Sequence, residues 1–361
     1  METLLEYKCP ACGGALSFDS NVQKMKCPYC DTEFELDALK ELDEAANNAA
    51  ADHMEWTQRS DPQWQEGEEE TLASYVCQSC GGEIVTDVNT AATSCPFCGN
   101  PVVMAQQLSG SLRPDCIIPF KLDKQAAEAA LQKHLSGKIL LPKVFRDENH
   151  IKEIKGVYVP FWLFDAAADG DARYHATRVR TWGDSRYIYT ETRHFSIHRA
   201  GNLRFVGVPV DGSSKMADDL MESLEPYDLS QAVDFQTAYL AGYYADKYDV
   251  SAQQSVQRAN DRIRESTQQA LMQTVVGYTT VLPEHSSVRL GDQQTRYALY
   301  PAWLLHTNYR GTDYLFAMNG QTGKLVGNLP MDKGAYWKWW FLVFGIATAL
   351  SGLVAWLAGY L

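Results

Sequence analysis

The hydrophobic pattern of the chain predicts three kinds of element. Residues 341–361 contain no charged side chain and follow Trp337, Trp339 and Trp340, which predicts a helix long enough to cross a bilayer. Residues 124–135 and 252–275 carry apolar side chains at helical spacing. The intervening segments alternate as strands do, and strands are predicted over 156–165, 172–182, 186–196, 203–208, 287–291, 296–309, 314–319 and 324–327.

Two pairs of similar segments in the strand-rich region suggest an internal duplication. Residues 159–163 read Val-Pro-Phe-Trp-Leu and residues 300–304 read Tyr-Pro-Ala-Trp-Leu. Residues 118–122 (Ile-Pro-Phe-Lys-Leu) resemble residues 225–229 (Glu-Pro-Tyr-Asp-Leu). In each half we expect a Pro-aromatic turn that leads to a helix and then to a strand carrying Pro-x-Trp-Leu.

Eight of the nine cysteines form two identical frames, Cys-x2-Cys-x14-Cys-x2-Cys, which are 68 positions apart. Two Cys-x-x-Cys turns brought together supply four soft thiolates at about 2.3 Å from a zinc ion, and a complete set of four protein ligands makes such an ion structural. We therefore predict two zinc ribbons and two structural Zn²⁺ ions. The predicted ligands are Cys9, Cys12, Cys27 and Cys30 for the first ion and Cys77, Cys80, Cys95 and Cys98 for the second.

Two other interpretations of the cysteine pairs, and a ribbon without metal, fit less well. A Cys-x-x-Cys pair can form a disulfide or a thioredoxin-like redox centre, but neither explains a repeated four-cysteine frame. A redox pair also opens a helix, whereas these pairs lie in turns rich in Gly and Pro. About 30 residues bury too little apolar surface to fold without the metal.

Charge is concentrated around the two frames. Residues 1–104 contain 5 Lys and Arg against 19 Asp and Glu, and residues 75–104 contain no basic residue. Phosphate contacts require Lys and Arg to displace counterions, so nucleic-acid binding through the ribbons is disfavoured. Residues 37–74 hold 11 of the acids, as a solvated linker does. The isolated Trp56 and Trp64 could contact a partner or pack against a ribbon, and we favour packing.

The basic, aromatic-containing stretch from Arg173 to Arg204 is the other charged feature. We interpret its arginines as exposed positions of alternating strands that pair with Asp171, Asp184 and Glu191. Contact with phosphate or with anionic lipid headgroups remains an alternative. His194 and His198 have no acid between them and are predicted on a strand, Asp211, Asp218, Asp219 and Glu222 precede or begin a helix, and Cys116 is expected to be a small buried side chain.

The flanks of residues 341–361 predict the orientation of the span. Lys333 and Lys338 lie on its N-terminal side only, so the positive-inside rule places the preceding bulk of the chain in the cytoplasm and makes the helix a tail anchor in the cell (inner) membrane. Residues 1–8 lack the apolar core of a signal peptide. We therefore expect the cysteines to stay reduced.

These observations predict an α+β protein of five segments. The central segment is β-rich with helices, and the sequence offers it no set of nucleophile, base and orienting residue, so we do not expect an enzyme. The segments are zinc ribbon 1 (1–36), an acidic helical and flexible linker (37–74), zinc ribbon 2 (75–104), the central domain (111–330) and the transmembrane anchor (337–361).

Two further stretches carry a family resemblance, VPVDGSSKMADDLMESLEPYD at 208–228 and YLAGYYADKYDV at 239–250. With the twin ribbons and the terminal span, they make the chain resemble a family of bacterial membrane-anchored proteins with twin zinc ribbons of the transcription-factor IIB type, often labelled as relatives of the replication-restart helicase. The chain lacks a helicase phosphate loop, so helicase activity is not implied. The resemblance implies a membrane-stress assembly with an SPFH-type scaffold and a phage-shock-type coat protein.

The function predicted from both lines of argument is a membrane-tethered, non-enzymatic adaptor or scaffold whose ribbons bind proteins. The alternative is a nucleic-acid-binding ribbon protein that acts in replication or transcription near the membrane, which predicts salt-sensitive binding to DNA or RNA. The direct partner, the ribbon that binds it and self-association of the chain stay open.

Overall fold

The computed structural model describes residues 9, 14–20, 22–37, 39, 52–57, 62–104 and 112–358. The chain forms two compact units. The first unit consists of Met1–Glu55, Ala166–Arg204 and Arg262–Asp292, and the second of Trp56–Asp165, Phe205–Asp261 and Gln293–Leu361. The two cysteine frames therefore belong to different units.

Fourteen strands and five α-helices lie within the described residues, and residues 36, 37 and 39 are also helical. The strands are β1 (Ser17–Asp19), β2 (Lys24–Lys26), β3 (Glu33–Phe34), β4 (Leu72–Val76), β5 (Glu83–Asp87), β6 (Val103–Met104), β7 (Cys116–Ile117), β8 (Lys155–Gly183), β9 (Ile188–Asp211), β10 (Val233–Asp234), β11 (Tyr244–Asp246), β12 (Thr280–Tyr309), β13 (Thr312–Asn319) and β14 (Leu325–Gly327). The helices are α1 (Lys124–Leu135), α2 (Glu148–Ile151), α3 (Asp218–Leu224), α4 (Ala252–Gln273) and α5 (Lys333–Ala358). The mixed α+β class is confirmed.

The first unit contains a small antiparallel sheet in the order β1-β2-β3. It also contains the distal parts of β8, β9 and β12, which pack against the C-terminal part of α4. The apolar side chains of this core are Ala172, Tyr174, Ala176, Ile197, Leu271 and Val275. Gly170 in β8 has no room for a side chain, because a Cβ there would lie 2.5 Å from Thr267 Cγ2 on the helix.

The second unit is built on a mixed sheet with the order β10-β7-β12-β8-β11-β5-β4-β6. Strands β7 and β11 run parallel to β12 and β8, respectively, and the hairpin of β4 and β5 joins the sheet because β5 pairs antiparallel with β11. The second cysteine frame, which begins directly after β4, is therefore part of this sheet.

Residues 157–164 of β8 are buried on both faces of the sheet, as a strand between two covering layers requires. Odd-numbered residues from Val157 to Leu163 face the core that contains α3 and the second cysteine frame. Tyr158, Trp162 and Phe164 face the opposite core, which contains Ala259 of α4.

The two Pro-x-Trp-Leu segments make equivalent contacts. Trp162 Nε1 donates a hydrogen bond to the carbonyl of Val250 at 2.8 Å, and Trp303 Nε1 donates to the carbonyl of Leu122 at 3.0 Å. Each carbonyl lies at the entrance to a helix, α4 in the first case and α1 in the second. The similarity of residues 159–163 and 300–304 in sequence thus corresponds to a similarity in packing.

The second pair of similar segments does not correspond in the same way. The turn equivalent to residues 118–122 is formed by residues 247–250, which follow β11 and lead to α4, just as residues 118–122 follow β7 and lead to α1. Residues 225–229 instead follow α3 and lead to a 3₁₀ turn at Leu229–Gln231. Residues 118–122 and 225–229 thus share a Pro-aromatic composition. Only residues 118–122, however, lie between a parallel strand and a helix.

The predicted helices were located accurately because their ends carry clear caps. Helix α1 has the predicted bounds, and Asp123 Oδ1 accepts a hydrogen bond from Ala126 N at 2.8 Å. Before α4, Ser251 N donates to Gln254 Oε1 at 2.8 Å and Ser251 Oγ accepts from Gln254 N at 3.3 Å, which is a capping box. Most of the helix predicted in the linker lies outside the described residues.

Several predicted strand ends were wrong, because the observed strands are longer. Strands β8, β9 and β12 each join two predicted strands through segments rich in Gly and polar residues. Backbone hydrogen bonds hold a strand through such a segment when its neighbours continue.

Trp56 and Trp64 pack, as expected, against a core that includes Phe164, Phe235 and Val85, of which Val85 lies in the second predicted ribbon. Trp56 Nε1 donates to Asn260 Oδ1 at 2.7 Å and its ring lies edge-on to Phe164, with the ring centres 4.8 Å apart. Trp64 lies edge-on to Phe235 at 6.0 Å.

Helix α5 is long and apolar enough to cross a membrane. The candidate span is Lys333–Val354, 22 residues with a mean hydropathy of 1.4, and none of the span is buried against the rest of the protein. Asp332 caps the helix, because its Oδ1 accepts hydrogen bonds from Gly334 N and Ala335 N.

Candidate metal centres

The second cysteine frame brings its four sulfur atoms into one cluster. The Sγ atoms of Cys77, Cys80, Cys95 and Cys98 all lie within 4.8 Å of one another. The Cys77–Cys98 and Cys80–Cys95 separations are 3.5 and 3.7 Å, respectively, which excludes disulfides, whose S–S length is about 2.05 Å. Four sulfurs at about 2.3 Å from a tetrahedral ion are about 3.8 Å apart. The cluster therefore has the dimensions of a metal site.

The first frame contributes three described cysteines to a similar cluster. Cys9, Cys27 and Cys30 bring their sulfurs within 4.8 Å of one another, and the Cys9–Cys30 separation is 3.6 Å. The fourth predicted ligand, Cys12, lies outside the described residues. The structure thus brings together seven of the eight predicted ligands in two groups that could each hold a metal ion.

The turns that carry the cysteines have the same hydrogen bonds in both frames, again 68 positions apart. In each turn the backbone N–H of the first cysteine donates to a carbonyl five residues later. The bonds are Cys9 N to Gly14 O (2.7 Å) and Cys77 N to Gly82 O (2.9 Å), and Cys27 N to Thr32 O (3.0 Å) and Cys95 N to Asn100 O (2.8 Å). The repeat in sequence is therefore also a repeat in backbone geometry.

Positive backbone angles close these turns. Gly81 and Gly99 have φ of 71° and 73°, and Asp31, which is equivalent to Gly99, has φ of 61°. Aspartate is one of the few residues that tolerate this region. Gly99 is further restricted, because a Cβ there would lie 2.9 Å from His306 Nδ1.

Backbone N–H groups point at the sulfurs of the second cluster. Burial raises the pKa of the Cys77 thiol, but hydrogen bonds from the N–H groups of Cys80 and Ser79 outweigh this effect and bring the pKa to about 7. Burial raises the pKa of Cys95 well above its ordinary value, and N–H groups of Cys98 and Phe97 offset this only in part. Because only the thiolate ligates a metal, the buried Cys95 requires a cation to remain charged.

The two clusters differ in their surroundings. Cys77 and Cys95 belong to the same buried core as Ile84, Phe97 and Ile118. Around the first cluster, Cys9 and Cys27 are buried, but Cys30 is exposed and so are Phe18 and Tyr29, at 56% and 77% of their surface. The second cluster is therefore built into the sheet, whereas the first lies under an exposed aromatic surface.

Lys155 is a positive group beside the second cluster that sequence reasoning missed. Its Nζ donates to the carbonyl of Ser94 at 2.8 Å and to Ser94 Oγ. Burial lowers the pKa of Lys155, and the nearby sulfurs of Cys95 and Cys98 oppose this shift. A divalent ion held by four thiolates leaves a net charge of −2, so a half-buried ammonium at this position offsets part of it. Lys155 and Ser94 are 61 residues apart, and no spacing rule connects them.

A cavity of about 870 Å³ opens next to Lys155 and the second cluster. The turn that carries Cys95 and Cys98 lines it, together with Gly99 and Asn100, and the exposed basic residues Lys124 and Lys152 also line it. Lys152 is therefore a positive charge that lines the same cavity but is exposed to solvent.

We expect Lys155→Met to weaken metal binding at the second cluster about tenfold, as is typical for residues that support metal ligands from outside the coordination shell. The physical reason is that the thiolates of Cys95 and Cys98 lose a nearby positive charge. Competition between the full-length protein and a colorimetric chelator, with Co²⁺ as the probe, measures this change. Lys152→Met is the control and should leave the affinity unchanged, and equal affinity in the two variants would contradict the assigned role of Lys155.

Two buried carboxylates form a second polar cluster that spacing did not reveal. Ser213 Oγ donates to Asp246 Oδ2 at 2.5 Å, and Ser213 N donates to Asp211 Oδ1 at 3.1 Å. Within the described structure, the second oxygen of each carboxylate is buried and accepts no hydrogen bond. Burial raises the pKa of Asp211 to about 7 and that of Asp246 well above its ordinary value.

This burial predicts that the second unit loses stability as the pH rises. An unfolded aspartate has a pKa of about 3.9, so the folded state, with Asp211 at about 7, binds the proton more tightly. The contribution of Asp211 to stability is full below pH 4 and falls between pH 4 and pH 7, by about 2–4 kcal/mol. Urea unfolding in detergent between pH 5 and 8 measures this decrease. Asp211→Asn should raise the stability at pH 8 and flatten the profile, and an unchanged profile would contradict the prediction.

The other predicted polar residues mostly have structural roles. His194 and His198 lie on a strand, as expected, and contact His175 and Asp171. Asp218 and Glu222 pair with Arg258, and among the described residues no acidic group forms a metal-like cluster. Cys116 is buried, as expected, and burial raises its pKa to about 11.

The expected pairing of the arginines holds only in part. Arg193 pairs with Glu191 at 2.7 Å. Asp171 contacts His198 instead of an arginine, and Asp184 accepts hydrogen bonds from the backbone N–H groups of Arg186 and Tyr187. The acids that sequence proximity assigned to the arginines are thus used elsewhere.

Comparison with known proteins gives one informative similarity. The chain is 36% identical over 342 residues to the uncharacterized protein YdjG of Bacillus subtilis (strain 168), and the similarity covers 95% of each chain. No family model matches the chain. No solved structure matches it.

Proposed function

We propose that this protein, which belongs to the same family as Bacillus subtilis YdjG, is a non-enzymatic scaffold that α5 tethers to the cytoplasmic face of the cell membrane. The observation that carries the tether is the exposure of α5, whose 22-residue apolar span is not buried at all. A core helix of this composition would be covered by the protein. Lys333 and Lys338 at one end of the helix support the cytoplasmic orientation.

The metal in this proposal is zinc, with one ion in each cysteine cluster. The donor set is soft and tetrahedral in its dimensions, which suits Zn²⁺ among the common ions of a reducing compartment. Four thiolates complete the coordination shell and leave no position for a substrate. Each ion therefore acts as a structural cross-link.

Of the two ribbons, the first is the better candidate for a protein-binding head. Phe18 and Tyr29 are exposed on it, and aromatic side chains of this kind anchor interfaces. Its two described lysines are engaged, Lys24 with Glu35 at 3.0 Å and Lys26 with Asp31 at 3.4 Å. An apolar protein partner therefore fits this surface better than a nucleic acid does.

The partners that the family resemblance implies, an SPFH-type scaffold and a phage-shock-type membrane coat protein, remain part of the proposal. Crosslinking and affinity purification from membranes tests it with the full-length chain. We expect Phe18→Ser combined with Tyr29→Ser to lose the partner while the protein keeps two zinc ions and its place in the membrane.

The matched control is Val103→Ser combined with Met104→Ser, because these residues are exposed apolar side chains of β6 beside the second cluster. This pair should leave the partner bound. If the partner persists in the Phe18 and Tyr29 variant, the first ribbon is not the binding head. If it is lost only in the control, the binding surface lies on the second ribbon.

A further inference from the structure

The hairpin formed by the end of β8 and the start of β9 exposes an unusual set of side chains. We define residues 178–193 as the hairpin tip, and every residue from 178 to 190 is exposed. Apolar and aromatic side chains lie on both strands with 40 to 82% of their surface exposed. They are Val179, Trp182, Tyr187, Ile188 and Tyr189.

Contacts within the hairpin hold the tip in one conformation. Asp184 closes the turn, because its Oδ1 accepts from the N–H groups of Arg186 and Tyr187 at 2.8 Å each. The rings of Trp182 and Tyr189 stack with their centres 5.8 Å apart. The exposed aromatic surface is thus held in place, although no described residue outside the hairpin covers it.

The tip is positively charged in a strongly acidic protein. It carries four arginines against two acids, while the whole chain has a net charge of −13. Glu191 pairs with Arg193, and Asp184 is engaged in the turn. Arg180 lies over the Trp182 ring at 5.6 Å, and no described carboxylate lies within ion-pair distance of Arg180 or Arg186.

We infer that the hairpin tip docks on an anionic lipid surface. Tryptophan and tyrosine prefer the membrane interface, and arginines beside them attract anionic headgroups. Ile188, which is 82% exposed, suits the acyl boundary but contributes nothing to phosphate recognition in a nucleic acid. Residues 1–104, with 19 acids against 5 bases, are repelled by an anionic bilayer whereas the basic tip is attracted to it, so the contact also favours one orientation of the chain.

This inference rests on the proposed membrane attachment, and one experiment separates the two. The full-length protein is reconstituted into nanodiscs of phosphatidylcholine alone or of phosphatidylcholine with phosphatidylglycerol, and hydrogen exchange is followed in peptides from residues 178–193. We expect slower exchange of the tip in the anionic discs. Arg180→Gln combined with Arg186→Gln should reduce the protection about thirtyfold. Arg173→Gln combined with Arg204→Gln, outside the tip, is the matched control and should leave the protection unchanged.

The outcomes distinguish the proposals. A chain that does not co-elute with discs refutes the membrane tether of α5. A chain that co-elutes but shows equal exchange of the tip in both kinds of disc overturns the lipid inference alone. Protection of the tip by duplex DNA or RNA at physiological salt, without protection by anionic discs, would assign the tip to nucleic acid and overturn the inference as well.

Discussion

Loss of the metal from the second cluster is expected to unfold the sheet of the second unit. Cys77 and Cys95 are 0 and 1% exposed and lie in one core with residues of β5, β8 and β12. Metal binding by four thiolates contributes on the order of 10 kcal/mol, which is as large as the total stability of a typical domain. Cys95→Ser should therefore abolish the near-UV circular dichroism and the cooperative melting of the protein.

The matched variant in the first unit is Cys30→Ser. Cys30 is exposed and lies in a different unit, so this change should release one metal ion and leave the main melting transition in place. Metal content by mass spectrometry, together with thermal melts, separates the two variants. A Cys95→Ser protein with a normal melt would show that the second cluster does not support the sheet.

This expectation also decides how ribbon variants must be designed. Substitution of Cys77 and Cys80 would be the natural way to remove the second ribbon as a binding head. Because β5 in this frame pairs with β11, such variants would disrupt the sheet and could not report on one surface. Substitutions of exposed side chains, such as Phe18 and Tyr29, avoid this effect.

Deletion of residues 337–361 is expected to move the protein completely from the membrane fraction to the soluble fraction. A span of this length and composition partitions into the bilayer nearly irreversibly, whereas a surface contact through the hairpin tip does not. Since the span is not buried in the protein, the melting temperature should remain unchanged. Membrane fractionation with carbonate extraction, which strips peripheral contacts, measures the distribution.

The control for this deletion keeps the length and apolar character of the span while changing its aromatic flank, as in Trp337→Leu combined with Trp339→Leu. That variant should stay in the membrane after carbonate treatment. If the deleted chain also resists carbonate, another segment must insert, and the assignment of α5 as the anchor would be wrong.

Much of the local structure could be predicted from the sequence, and the reasons are physical. The four-cysteine frame fixes short turns whose hydrogen bonds are local, so seven of the predicted ligands could be located in two clusters. Helix α1 has a capping Asp123 and regular apolar spacing, and its predicted bounds are confirmed. The short strands β7 and β11 were missed, because two or three residues carry no detectable alternation.

Contacts between distant segments could not be predicted in this way. Trp56 was expected to pack on a ribbon, and its side chain contacts Phe164 and Asn260, which lie outside the predicted ribbons. The arginine pairing was assigned from proximity in sequence, and most of the acids had other partners in the fold. The partner of a polar side chain depends on which strands are neighbours, and a single sequence does not specify this.

The sequence by itself determined the predicted cysteine ligands, the turns that hold them and the apolar helix, because each of these depends on residues that are close together in the chain. Only the tertiary structure decided that the second cluster lies inside the sheet, that Lys155 lies beside it and that Asp211 and Asp246 are buried. These features depend on which strands pair, since pairing brings together residues that are 61 positions apart for Lys155 and Ser94 and 33 positions apart for Ser213 and Asp246. The difference between the two cysteine clusters, one embedded and one exposed, is therefore a property of the fold, although their cysteine frames are identical.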